Sequence, residues 1–272
     1  MLVARPHVKA RSLEYGKYNP LGRQLSELHS AVVLDLETGM EIVNSVEDSP
    51  FVLDRTRQVA PQLISYLRKK ILSLELEPGT ELSRLALQEQ FNLSQTPVRD
   101  AMMQLRDEGL ITIYPQAGTV VSKIDLNLAR QAHILRISIE LEAARQLAHE
   151  QVPHNIAFLH ASIAKQELLL SPDNYDEFSA ADDEFHRLIF LNAKLPDLWP
   201  VVTRQSGHMF RLRRLHLPDP GKAQAIVEQH KNIVDAIGSG NPDKAVKTMR
   251  IHHTGTLEMA DEIKQRYPTF FE

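Results

Sequence analysis

Apolar residues recur with a helical period over residues 56–74, where Val59, Leu63, Leu67, Ile71 and Leu74 form one stripe. Pro61 lies in the first turns of this predicted helix, and Pro78-Gly79 turns the chain after it. A short helix is predicted from Ser83 to Asn92, then a break at Asn92-Leu93, then a second helix from about Ser94 to Glu108. In the second, Val98, Ala101, Met102 and Leu105 fall at i, i+3, i+4 and i+7, so one face is buried. Ser94 or Thr96 can cap it, Pro97 occupies the first turn, where its missing N–H costs nothing, and Gly109 ends it. The period then shortens to two. Thr112-Ile113-Tyr114 and Thr119-Val120-Val121 flank Pro115-Gln116-Ala117-Gly118, which predicts a hairpin. Beyond Lys123 only helical patterns remain, near 126–150, 153–170, 174–194, 196–216, 222–238 and 242–266. Pro153, Pro172, Pro196, the run Pro218 to Gly221 and the run Gly238 to Pro242 separate them.

These elements predict a mainly α protein. Residues 54–124 read as a winged helix-turn-helix domain, because only a few residues join the second and third helices and a hairpin follows. Gln95, Thr96, Arg99 and Asp100 share the polar face near the N-terminal end of the third helix, the end that a recognition helix pushes into the major groove of duplex DNA. Arg84, Arg99, Arg106 and Lys123 could supply phosphate contacts. Residues 125–272 read as an all-α six-helix bundle. Residues 1–53 read as an N-terminal extension. Arg5, Lys9, Arg11, Lys17 and Arg23 stand against Glu14 in a basic, breaker-rich arm expected to be partly disordered, and Ala31 to Val46 could form a small hairpin.

Composition refines this picture. A chain of 272 residues with 43% hydrophobic content can build two domains with sizeable cores. Without cysteine there can be no disulfide framework, iron–sulfur cluster or Cys-ligated zinc, which suits a reducing cytoplasm. No apolar run reaches membrane-spanning length and no leader pattern is present, so a cytoplasmic protein with no membrane association is expected. Formal charge is −2 over residues 1–53, +1 over 54–124 and −3 over 125–272, so DNA binding would depend on a few focused cations.

The most specific chemistry lies in the bundle. Asp182 and His186 are four residues apart on one helical face, and His230 and His252 lie eleven residues either side of Asn241, in a turn between two helices. If those helices form an antiparallel hairpin, the two imidazoles come level and the four side chains can converge on a divalent metal with open positions. Each residue also has a plain explanation. A lone helical histidine is more often a hydrogen-bonded core or surface residue, and Asp182-Asp183-Glu184 could be a solvated acidic face. His253 rivals His252, although Ala245, Met249, His252 and Thr256 share one stripe.

The segments LEPGTELS, SQTPVRDAMMQLRDEGLI and the wing glycine Gly118 resemble the DNA-binding domain of GntR-family bacterial transcription regulators, over roughly residues 58–123. Gln95 and Leu85 stand where that family usually has arginine, so the resemblance does not carry an operator sequence with it, whereas Arg99 matches a contact arginine. Gln95 could pair bidentately with adenine or reach a phosphate. The segments RISIELEAARQLA, DDEFHRLI, EQHKNIVDAI and GNPDKAVKTMRIHH resemble the FCD effector domain of the FadR subfamily, and six helices resemble its VanR-type branch. That resemblance implies a metal held by Asp182, His186, His230 and His252, with zinc foremost and nickel, manganese or iron as alternatives, and a small carboxylate effector filling its open positions. It also places Arg136 at the effector pocket as a carboxylate clamp, although Arg136 could equally form a helix-surface ion pair with Glu140. Arg211 and His208 are weaker effector candidates, and Arg213 and Arg214 read more simply as surface charges.

Together these readings describe a homodimeric, ligand-responsive DNA-binding transcription regulator. Gln95, Thr96, Arg99 and the Gly118 wing would meet a pseudo-palindromic operator, with repression relieved by a small organic acid. Two other readings compete. The Asp/His centre could serve a metal-dependent enzyme, but no H-E-x-x-H motif or phosphate loop accompanies it, and Glu184 is turned away from the Asp182 face. The metal could instead be purely structural.

Overall fold

The structure, a computed structural model, describes residues 51–272. The basic arm and the small hairpin expected before that point lie outside the described residues.

The DNA-binding part begins with α1 (Val59–Leu72), which buries Leu63, Ile64, Leu67 and Ile71. Helix α2 (Arg84–Phe91) starts where the Ser83 hydroxyl accepts the Ala86 N–H at 3.2 Å, and ends on Asn92 in the left-handed region at φ 47°. Helix α3 (Gln95–Asp107) buries Val98, Ala101, Met102 and Leu105, the four positions of the helical stripe. Gly109, at φ 70°, carries the chain out of it. Strands β1 (Ile111–Tyr114) and β2 (Gly118–Val121) pair antiparallel, with Ile111 opposite Val121 and Tyr114 opposite Gly118. Packing in this part starts at Phe51, before residue 54: its ring stacks on Tyr66 at 4.3 Å and Leu53 is buried in the same core.

The bundle comprises α4 (Leu126–Glu150), α5 (Pro153–Glu167), α6 (Tyr175–Asn192), α7 (Leu198–Gln205), α8 (Gly207–His216), α9 (Lys222–Gly238), α10 (Pro242–Glu258) and α11 (Ala260–Arg266). Two of the six expected helices are therefore divided. The span 196–216 breaks at Ser206, whose hydroxyl bonds the Val202 carbonyl at 2.7 Å in competition with the helical ladder. The span 242–266 breaks at Met259. Helices α9 and α10 pack against each other as a hairpin, joined through Ser239, Gly240 and Asn241. The Asn241 side chain caps α10 through the Lys244 N–H at 3.0 Å.

Where the two parts meet, α8 lies against α1 and against the linker at 122–125. A Cβ on Gly207 would come 2.6 Å from Leu110 Cδ2, so any other residue there would have to push the end of that side chain aside. Arg211, wholly buried, donates from Nη1 to the Ser122 carbonyl. The Asp125 N–H donates to His208 Nδ1 at 3.1 Å, and Ile124 bridges to Phe271 near the C-terminus. Ile124, Met209, Leu212, Ile263 and Phe271 form a small separate core around this junction.

Candidate metal centre and nucleic-acid interface

Three helices carry the centre. Helix α6 presents Asp182 and His186 from one face, α9 presents His230 and α10 presents His252. The three imidazole centroids lie 4.6–5.3 Å from one another. Asp182, His186 and His230 are buried.

The outer nitrogens of the three rings are each occupied. His186 Nδ1 lies 2.6 Å from Glu140 Oε2, His230 Nδ1 lies 2.7 Å from Gln166 Oε1, and His252 Nδ1 lies 3.0 Å from Gln229 Oε1. Carboxylate and amide oxygens accept, so each Nδ1 carries the proton and each Nε2 is left with a lone pair pointing inward. The Nε2 atoms of His186 and His252 face each other at 3.2 Å. His230 Nε2 and Asp182 Oδ1 lie 3.6 Å apart, and both are buried with no hydrogen-bond partner. Buried acceptors left facing one another are costly unless something positive lies between them. The three neutral nitrogen donors of His186, His230 and His252, each fixed from behind, lie close enough together to hold a divalent cation, with Asp182 Oδ1 beside His230 Nε2.

Electrostatics favour the same occupancy. Burial pushes His186 down to about 4 and His230 to about 3, and takes His252 well below its ordinary value, so all three are neutral near pH 7. Burial works against the Asp182 carboxylate, but Arg213, then His186 and His230, hold it below the usual carboxylate range.

Several expected residues stand elsewhere or in other company. The Arg136–Glu140 pair forms at 2.6 Å, but in the core and not on a helix surface. Arg136 lines a small cleft of about 30 Å³ beside His186 and His252, with its guanidinium over the Trp199 and Phe210 rings and its Nη2 buried without a partner. His253 also faces inward, bonding Glu140 Oε2 at 2.9 Å. Arg213 is not a surface charge, since its Nη2 holds Asp182 Oδ2. Arg214 pairs with Asp176 at 2.5 Å. Arg211 and His208 reach into the inter-domain linker, where burial brings Arg211 to about 10 and His208 to about 4. Glu184 is turned outward and bonds Arg187 at 2.6 Å. Gln166 and Gln229 gave no warning in the sequence, although Gln166 is fully buried.

In the winged helix, Gln95, Thr96 and Arg99 are exposed on the first turns of α3, with Arg99 beside Asp100 at 3.7 Å. Arg84 is exposed at the start of α2. Gly118 sits at the exposed wing tip at φ 123°, a conformation that a side chain would strain. Arg106 is not with them. It lies in the last turn of α3, roughly 16 Å along the axis from Gln95, and binds Asp107.

Residues 60–121 match the family described as bacterial regulatory proteins, gntR family, and residues 132–255 match the FCD domain. An uncharacterized HTH-type transcriptional regulator in an unstable DNA locus of Streptomyces ambofaciens is 31% identical over 205 residues, 75% of this chain and 86% of that one. The chain belongs to the GntR family. Another relative, the HTH-type transcriptional repressor RspR of Escherichia coli strain K12, is 28% identical over 219 residues, 80% of this chain and 96% of that one. Among solved structures, E. coli McbR/YncC shares the fold with a TM-score of 0.63 at 18% identity, over 76% of this chain and 98% of its own. As a GntR protein with an FCD domain, the chain is a ligand-responsive DNA-binding transcription regulator. That assignment turns away from the enzyme reading of the centre. Among the described residues no helix is long and apolar enough to cross a membrane.

Proposed function

We propose that this GntR regulator, of the VanR-like branch, acts as a cytoplasmic homodimeric repressor whose FCD domain holds a divalent metal, zinc foremost, through Asp182, His186, His230 and His252. The observation that carries this reading is the set of inward Nε2 lone pairs, each fixed by an acceptor behind its ring, beside two buried atoms with no partner. A bound cation with open positions would attract a small organic-acid effector. Arg136, with an unpartnered buried Nη2 in the adjoining cleft, would clamp its carboxylate.

In the dimer, two copies of α3 would present Gln95, Thr96 and Arg99, with Arg84 and the Gly118 wing alongside, to the half-sites of a pseudo-palindromic operator. Release follows through α8. Arg213 on this helix holds the ligand carboxylate Asp182, and Arg211, two residues earlier, holds the linker at Ser122. An anion drawn toward Arg213 and Arg136 shifts α8, and with it the winged helix, if it binds the two placements with different affinity.

Metal analysis of purified protein tests the base of this reading. About one ion per chain is expected, lost when His186→Ala is combined with His230→Ala. Protein that takes up no ion after soaking in zinc contradicts it.

A further inference from the structure

A cavity of about 310 Å³ opens where α1 meets the bundle. Its walls are mostly apolar: Leu72 from α1, Phe178 from α6, Phe210 from α8, and Leu217 and Ile226 beyond it. The metal-facing residue Asp182 also lines it. Arg213, Lys222, Ile226 and Thr256 line both this cavity and the 30 Å³ cleft beside His186 and His252, so the larger space leads off the metal centre. Lys222 is half-buried and forms no ion pair among the described residues, which leaves a cation at the junction of the two spaces.

We propose that the effector is an elongated amphipathic carboxylate, its head at the metal centre beside Arg213 and Lys222 and its aromatic or medium-length aliphatic tail filling this cavity against Leu72. The inference rests on the metal and carboxylate reading above and adds the ligand class and the way it reaches the DNA-binding domain. The volume suits a tail of roughly ten non-hydrogen atoms, taking about 30 Å³ for each as for a liquid water. Hydroxyls of a sugar acid would lose hydration against the Phe178, Phe210 and Leu217 walls, while Ser73, Asp176, Ser179 and Asp183 line other parts of the same cavity. Because Leu72 belongs to α1, a ligand in this position touches both domains at once and acts directly on their packing.

The test is calorimetric titration of zinc-loaded full-length protein with butanoate, hexanoate, octanoate, decanoate, dodecanoate, tetradecanoate, phenylacetate and gluconate. Affinity should rise about fourfold per added methylene until the cavity is full, then level off. Phenylacetate should bind more tightly than gluconate. Leu72→Trp should flatten the series while leaving butanoate binding unchanged, and Leu72→Ala should move the plateau to longer chains. A flat series in the wild type, with chelator-sensitive butanoate binding intact, overturns the tail site and leaves the metal reading standing. If none of the carboxylates binds the zinc-loaded protein, both fall.

Discussion

The three histidines of the centre differ from ordinary buried histidines in what stands behind them. Glu140, Gln166 and Gln229 each accept an Nδ1–H, which aims the opposite nitrogen inward. Glu140→Gln keeps the shape but removes the charge that raises the basicity of His186, so metal affinity should fall by about 10- to 100-fold in a competition titration against a chelator. Unchanged affinity would leave Glu140 as a packing residue. The residues proposed to hold the metal were legible as a spacing, Asp182 and His186 one helical turn apart and His230 and His252 equidistant from Asn241. Their supports were not, because Gln166 and Gln229 carry no motif and the long sequence separation from Arg213 to Asp182 hides their contact. Arg211 illustrates the same limit. An arginine that binds a backbone carbonyl 89 residues away looks, in sequence, like one that faces solvent.

Among elements, α8 joins the two halves. Its start at Gly207 permits contact with Leu110, and Gly207→Ala should loosen the winged helix on the bundle by forcing that side chain aside. Faster amide exchange in residues 110–125 than in α9 would show it, and uniform exchange would count against it. His208 makes the contact pH-sensitive. Burial lowers it to about 4 from an ordinary value near 6.5. Its folded value is the lower one, so the unfolded chain binds more protons between those limits and stability rises with pH there. The neutral ring's contribution is complete above about 6.5 and is lost as pH falls toward 4. It amounts to at most about 3 kcal/mol. His208→Gln should reduce the slope of melting temperature against pH across that interval without abolishing it, because burial also lowers His186 and His230. The helix around His208 was legible in the sequence but not its division from α7, because a single Ser206-Gly207 pair does not mark a helix end and the Ser206 hydroxyl's bond to the Val202 carbonyl shows only in the structure.

At the scale of the molecule, a winged helix and a helical bundle share one linker, gripped by Arg211, His208 and the C-terminal residues Phe270 and Glu272. This division was the most legible property of the chain, because the helical period gives way once to a short alternating hairpin and only helical patterns follow it. The grip on the linker is long-range and left no local trace. Exposure of Arg99 at the open end of α3 predicts that Arg99→Ala weakens operator binding by roughly 1–3 kcal/mol with the melting temperature unchanged. Equal affinity of variant and wild type in a gel-shift titration would remove α3 from the interface. The central claim is that a metal-held anion governs the grip on DNA, and one titration addresses it most directly: operator-bound protein, zinc-loaded or chelator-treated, is exposed to rising concentrations of octanoate while fluorescence anisotropy follows the DNA. The account predicts release from the loaded protein and none from the stripped protein. Release of equal strength from both would contradict it.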